Sequence, residues 1–148
     1  MELKVYLSGE IHTDWRGEII DGIHALNLPI EVLTPVTTHA ASDDVGDEIL
    51  GREESSFWKD HKSAKINSIR IRNAIEKSDI VVVKFGEKYK QWNAAFDAGF
   101  AVAKGKSLIT IHSAEHTHPL KEIDAAALAV TENPGQVVKI LQYILTQK

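Results

Sequence analysis

The chain contains no cysteine, so no disulfide framework exists, as fits a reducing compartment such as the cytosol. No apolar run approaches the ~20 residues needed to cross a bilayer. The opening Met1-Glu2-Leu3-Lys4-Val5-Tyr6-Leu7 runs directly into a strand-like stretch without a basic region and an apolar segment. No signal peptide is therefore expected, and the expected location is cytoplasmic. An excess of positive charge is also missing. The formal net charge of −4 argues against general nucleic-acid binding, which needs a basic footprint. A small-molecule ligand is the better expectation, with no membrane contact. Internal repeats and low-complexity segments are absent too.

What is present is ordinary for a globular protein: 43% hydrophobic and 26% charged residues over 148 positions. That length suits one domain, residues 1–148, with a well-filled core. Strand and helix patterns alternate. Lys4 to Leu7 reads as a strand ending at Ser8-Gly9. Thr13-Asp14 offers N-caps for a helix with Trp15, Ile19, Ile23 and Leu26 on one face. Ile30 to Leu33 is a short strand stopped by Thr34-Pro35. Thr37 to Ser63 is polar and without a clear period, so it reads as a functional loop or lid, or as unresolved short helices. Phe57 and Trp58 suggest that part of it packs down. Lys65 to Lys77 reads as a helix buried through Ile66, Ile69, Ala74 and Ile75.

Ile80-Val81-Val82-Val83 is the strongest strand signal. It is β-branched throughout without alternation, as in the centre of a parallel sheet buried on both faces. Trp92 to Lys104 is the next helix, closed by Gly105. Leu108 to Ile111 is a strand, Leu120 to Ala126 a short helix and Leu128 to Val130 an edge strand. Asn133-Pro134 starts a last helix with Val137, Leu141 and Ile144 inward. Such alternation predicts a three-layer α/β/α sandwich around a mostly parallel five-stranded sheet, in the flavodoxin- or Rossmann-like order 2-1-3-4-5. The ligand site is expected at the switch point, beyond the carboxyl ends of the first and third strands. Ser8, Gly9 and Glu10 would there approach Gly86, Glu87 and the helix that starts at Trp92.

From Ala94 to Ala103 the only charged residue is Asp97. A helix apolar on every face is expected to be buried on every face, which puts this carboxylate in or beside the core. Burying it costs several kcal/mol unless it is paired or hydrogen-bonded. A functional carboxylate with a perturbed pKa has this appearance; so has a structural one bonded to the backbone, Arg70 or Arg72.

Tyr6-Leu7-Ser8-Gly9 resembles the opening strand and loop of nucleoside 2-deoxyribosyltransferases. Phe96-Asp97-Ala98-Gly99-Phe100-Ala101 with Gly105-Lys106 resembles that family's Glu-x-Gly-Tyr-Ala...Gly-Lys segment. Ala74-Ile75 before Ser78-Asp79-Ile80-Val81-Val82-Val83 matches its helix leading into the central strand. More closely, the chain resembles the YtoQ family, a branch named for its likeness to those transferases, through Tyr89-Lys90-Gln91-Trp92-Asn93-Ala94-Ala95-Phe96-Asp97-Ala98-Gly99. The resemblance implies that Asp97 stands where a glutamate attacks the anomeric carbon of a deoxyribonucleoside, in retaining glycosyl transfer. Tyr6 matches the tyrosine that orients that carboxylate. It further implies homo-oligomers whose subunits complete one another's sites.

The chain departs from the transferase pattern at three positions. Asp97 is a methylene shorter than glutamate, though retaining glycosyl chemistry accepts either acid. Gln91 replaces an aspartate six residues before the nucleophile, and Ile71 replaces a second binding aspartate. A neutral amide is a poor general acid, whereas the neighbouring Arg70 and Arg72 favour an anionic ligand such as a nucleotide phosphate. Hydrolysis of a nucleoside or nucleotide N-glycosidic bond is thus as well supported as transfer. The alternative is a module that binds a nucleotide or an ADP-ribose derivative without chemistry.

Asp97 and Tyr6 are the candidate catalytic residues. The candidate substrate contacts are Ser8, Gly9, Glu10, Gly86, Gln91, Trp92, Asn93, Arg70 and His112. Backbone N–H groups of Ser8-Gly9-Glu10 could hold a phosphate or ribose. Trp92 could stack a base, while Phe96 reads as core. His112, His116 and His118 surround one loop without an acidic ligand at a firm spacing, so no metal site and no cofactor are expected.

Overall fold

The computed structural model describes residues 2–88 and 92–146. Strands β1 (Leu3–Gly9), β2 (Ile30–Leu33), β3 (Ile80–Lys84), β4 (Ser107–Ile111) and β5 (Ala129–Thr131) pair in the order β2-β1-β3-β4-β5. Every pairing is parallel. Between them run α1 (Trp15–Ala25), α2 (His39–Leu50), α3 (Ser56–Lys77), α4 (Trp92–Ala103), α5 (Lys121–Ala126) and α6 (Pro134–Leu145). The expected fold class and strand order are the observed ones.

Side chains alternate across a strand, so each face of β1 feeds a different core. Leu3, Val5 and Leu7 pack with Trp15, Ile19 and Ile23 of α1 and with Val137, Val138 and Leu141 of α6. Tyr6 points the other way, among Ile75, Val81, Val83 and the small inner residues Ala94, Ala98 and Ala101 of α4. Ser8 lies two residues on, on the Tyr6 face and in register with Val83. The same strand that fills the core thus delivers a phenol and a hydroxyl to one helix.

Of the two readings of Thr37 to Ser63, the loop or lid is corrected and the helical one holds: the segment contains α2 and the first third of α3, a helix of 22 residues. The apolar period is missing because α2 packs on α3 through small and polar groups rather than on the sheet. The Gly46 N–H donates to Ser63 Oγ at 3.0 Å, and that hydroxyl donates to the Asp43 carbonyl at 2.6 Å. Asn67 Nδ2 donates to the Ser42 carbonyl and hydroxyl at 3.0 and 3.1 Å. Lys59–Asp44 and Lys62–Glu53 ion pairs, each at 2.6 Å, flank the seam.

Several expected core positions also turn outward. Phe57 and Trp58 are exposed and meet each other edge-on at 5.0 Å instead of packing down. Ile69 is exposed because α3 turns Ile71, Ala74 and Ile75 toward the sheet; Leu26 and Ile144, at the last turns of their helices, are exposed as well. Thr13-Asp14 gives α1 no side-chain cap, since the Thr13 hydroxyl is bonded to Glu10 instead.

At Gly46 an added Cβ would come within 2.6 Å of Lys62 Cβ and 2.8 Å of the Ser63 amide nitrogen. Gly46→Val is therefore expected to force α2 away from α3 and cost ~1–3 kcal/mol. Hydrogen exchange should quicken in α2 and the first turns of α3, with β3 almost unchanged. Equal loss of protection in β3 would place α2 in the cooperative core.

Candidate active site

The Asp97 carboxylate sits in the second turn of α4, half-buried, where Ser8 Oγ donates to its Oδ2 at 2.6 Å. Its other oxygen makes no hydrogen bond among the described residues and is not sealed from solvent. Asp97 and Asn93 line a cleft of about 340 Å³ between α4 and α3. Phe96 and Phe100 complete the α4 wall; Asp60, Ser63, Asn67, Ile71 and Arg72 belong to the α3 wall, and Ser42 and Asp43 of α2 close one end. Burial raises the Asp97 carboxyl above the usual aspartate value, and the Ser8 bond partly offsets the rise.

Tyr6 comes up from the core beneath this carboxylate. Its ring is fully buried, and its hydroxyl has no hydrogen-bond partner among the described residues. Burial first, then the negative charge of Asp97, push the phenol well above its ordinary value; Arg16 and Arg70 pull it back. Ser8, rather than Tyr6, thus makes the direct bond that orients Asp97.

The loop after β1 is held from inside. Arg16, itself buried, donates to the carbonyls of Leu7 at 3.0 Å, Glu10 at 2.7 Å and Gly9 at 3.1 Å. Trp15 Nε1 also donates to the Glu10 carbonyl, at 2.9 Å. The Glu10 carboxylate accepts from the His12 and Thr13 amides at 2.6 and 3.1 Å and from the Thr13 hydroxyl. The Glu10 N–H donates to the Lys84 carbonyl at 3.0 Å. These bonds use the Glu10 carboxylate and N–H within the loop itself, which takes Glu10 out of the expected phosphate- or ribose-binding set. Gly9 has φ +115°, and a Cβ there would lie 2.7 Å from the Lys84 amide nitrogen. Its role is to let β1 and β3 approach.

Other candidates lie elsewhere. His112 is buried away from the cleft lining, with Nδ1 2.7 Å from the Ser113 carbonyl and Nε2 2.8 Å from Asp124. Asp124 also accepts from the Thr110 hydroxyl at 2.9 Å, so His112 ties β4 to α5. Arg70 is exposed and outside the cleft lining, close enough to Tyr6 to act on its hydroxyl. Gly86 follows β3 at the carboxyl edge, and Trp92 opens α4 exposed. Gln91 lies outside the described residues, as do Tyr89 and Lys90. Phe96, read as core, is exposed on the cleft side, because α4 buries only its alanine stripe. Among the described residues no group of three or more His, Asp or Glu side chains is arranged to hold a metal.

Sequence reasoning did not find the α2 and α3 wall. Its polar members, Ser42, Asp43, Asp60 and Asn67, carry no motif. The available signal was the spacing Asp60, Ser63, Asn67, Ile71, one helical face read upstream of Lys65.

The unpartnered Tyr6 hydroxyl gives a direct expectation. A buried polar group without a partner costs about 1–3 kcal/mol, so Tyr6→Phe should leave the fold as stable as before or more so. Thermal melts at neutral pH check this. A melting temperature lowered by several degrees would mean that a bound water satisfies the hydroxyl in solution.

Comparison with known proteins gives a consistent picture. The sequence profile described as Nucleoside 2-deoxyribosyltransferase YtoQ matches residues 6–145. The uncharacterized protein YtoQ of Bacillus subtilis (strain 168) is 45% identical over 144 residues, 97% of each chain. Among solved structures, a conserved protein from Enterococcus faecalis V583 superposes with a TM-score of 0.67 at 13% identity, covering 98% of this chain and 100% of the other. The Clostridium botulinum CMP N-glycosidase BcmB gives 0.55 at 14% identity over 96% and 99% of the two chains. A 2-deoxyribosyltransferase from Bacillus psychrosaccharolyticus gives 0.55 at 16% identity over 91% and 90%. The shared fold and the extent of the profile match lead to one conclusion: this chain belongs to the YtoQ family of nucleoside 2-deoxyribosyltransferase-like proteins.

Proposed function

We propose that the protein cleaves the N-glycosidic bond of a nucleoside or nucleotide with Asp97 as nucleophile. The observation that carries this reading is the Asp97 carboxylate itself: half-buried at a cleft, fixed through one oxygen by Ser8, with the other oxygen unbonded among the described residues. That oxygen attacks the anomeric carbon, the carbon–nitrogen bond breaks, and its electron pair leaves with the base, which takes a proton from water in the open cleft. A glycosyl ester of Asp97 results. Water, or the nitrogen of a second base, then attacks the same carbon, displaces the carboxylate and loses a proton. The Ser8 hydroxyl holds the attacking group in line, and the Tyr6 hydroxyl lies beneath the same carboxylate as a spare donor.

The substrate pool is that of the cytoplasm, and the protein works as a homo-oligomer, a reading supported by the exposed Phe57, Trp58, Trp92 and Phe96. Light scattering on the purified protein tests the assembly; a monomer at working concentrations would overturn it.

Mass-spectrometric detection of free base from a panel of nucleosides and nucleotides tests the activity. Asp97→Asn should lower turnover by several powers of ten while the fold persists, and the wild-type protein should yield a pentosyl adduct on Asp97. Because burial raises the carboxyl, kcat/KM should fall on the acid side with a midpoint above the ordinary value of 3.8. Stability runs the opposite way with pH. A group whose folded pKa lies above its unfolded value favours the fold most when protonated, so the native state loses stability as pH rises through the folded pKa. Asp97→Asn removes that loss. Its melting temperature should match or exceed wild type at neutral pH, with the gain vanishing below the unfolded pKa. A destabilised variant with unchanged activity per folded molecule would show that Asp97 is a structural carboxylate and that another group carries the bond cleavage.

A further inference from the structure

The cleft is electrically lopsided. Among its described lining residues Arg72 is the single basic side chain, while Asp43 and Asp60 stand toward the α2 end. The Arg72 guanidinium makes no hydrogen bond or ion pair among the described residues; it lies over the ring of Phe100, 5.8 Å from the centroid. Lys104 reaches the same ring at 5.5 Å, yet it is already paired with Glu76 at 2.8 Å. Glu76, four residues beyond Arg72 on α3, feels the arginine but gives its carboxylate to Lys104. The exposed guanidinium therefore rests against an aromatic ring, and no group among the described residues takes up its hydrogen-bonding edge.

Position adds to chemistry. Phe100 follows Asp97 by three residues on α4, a rise of ~4.5 Å, so the ring that Arg72 meets stands about one helical turn from the reacting carboxylate, and both residues line the same cleft. That separation suits a pentose with its anomeric carbon over Asp97 and its 5′ oxygen directed at Arg72. A planar guanidinium holds two phosphate oxygens at once, whereas a neutral 5′-hydroxyl gives it little. Asp43 and Asp60 would repel the same phosphate from the opposite end, which leaves one orientation favoured.

We infer that Arg72 is a phosphate-binding residue and that the site takes nucleoside 5′-monophosphates in preference to free nucleosides. This deepens the reading of Asp97 given above and rests on it for the placement of the sugar. Arg72 touches the substrate and sets specificity without joining the bond-breaking step.

The test separates binding from chemistry. Titration calorimetry on the Asp97→Asn protein, which keeps the cleft, compares the common ribo- and 2′-deoxyribonucleosides with their 5′-monophosphates. At least one monophosphate should bind about tenfold or more tighter than its nucleoside, as one charged hydrogen-bonded contact provides. Rising salt should narrow the difference. Arg72→Gln in the same background should erase the preference while leaving nucleoside affinity in place, and Arg72→Lys should restore part of it. Nucleosides binding as tightly as monophosphates would overturn the inference. So would a preference that survives Arg72→Gln, because the phosphate would then be held elsewhere. Absence of binding by either set overturns it too. Arg72-dependent binding without base release from the wild-type protein would keep the phosphate site and remove the glycosidase. Base release from nucleosides, with no gain from a phosphate, would do the reverse.

Discussion

Strand β1 can lie against β3 along its full length only because residue 9 has no side chain. Gly9 is in register with Lys84 and adopts a positive φ, where a Cβ would be driven into the Lys84 backbone. That approach lets the Glu10 N–H donate to the Lys84 carbonyl, and Arg16 then gathers the carbonyls of Leu7, Gly9 and Glu10 from below. The register fixed there reaches backward along β1. It sets Ser8 beside Val83 and Tyr6 beside Val81, on the face that α4 covers. The Ser8–Asp97 bond and the Tyr6 hydroxyl beneath the same carboxylate both follow from one close contact between two backbones.

How much of this is legible in the sequence depends on whether a residue's partner is the sheet. Ile80 to Val83 announces itself because a central parallel strand is buried on both faces, and every side chain must be apolar. Strand order and switch point then follow from alternation and handedness. The pair α2–α3 is opaque for the opposite reason: its seam runs through Gly46, Ser63, Asn67 and ion pairs, so no hydrophobic period is required of it. Asp97 was legible for a partly mistaken reason. Its helix is not buried all round, since Trp92 and Phe96 face outward; the carboxylate is half-buried because the alanine stripe of α4 lies so close to the sheet that Ser8 can reach it.

The misplaced candidates share a cause. Glu10 and His112 are polar residues at the carboxyl edge of the sheet, where ligand contacts are expected, but each has found protein partners that use its polar atoms. A buried polar group must be satisfied by something, and sequence does not say whether the partner is ligand or chain. Arg70 and Arg72 differ by two residues, a large rotation about a helix axis. Both are exposed, but only Arg72 lines the cleft while Arg70 lies near Tyr6, and the orientation of α3 decides between them.

The two walls of the cleft are built by different physics, and that difference bears on how it works. The α4 wall is continuous with the second core through Ala94, Ala98 and Ala101, so Asp97 shares the rigidity of the sheet. Groups that act on a reacting atom need such support, because small misplacements cost large factors in rate. The far end of the opposite wall rests on polar contacts between α2 and α3, with little buried apolar area to resist opening. Segments of that kind sit at the low end of local stability. The fold thus sets the carboxylate on the wall that belongs to the core and leaves the polar seam to the other.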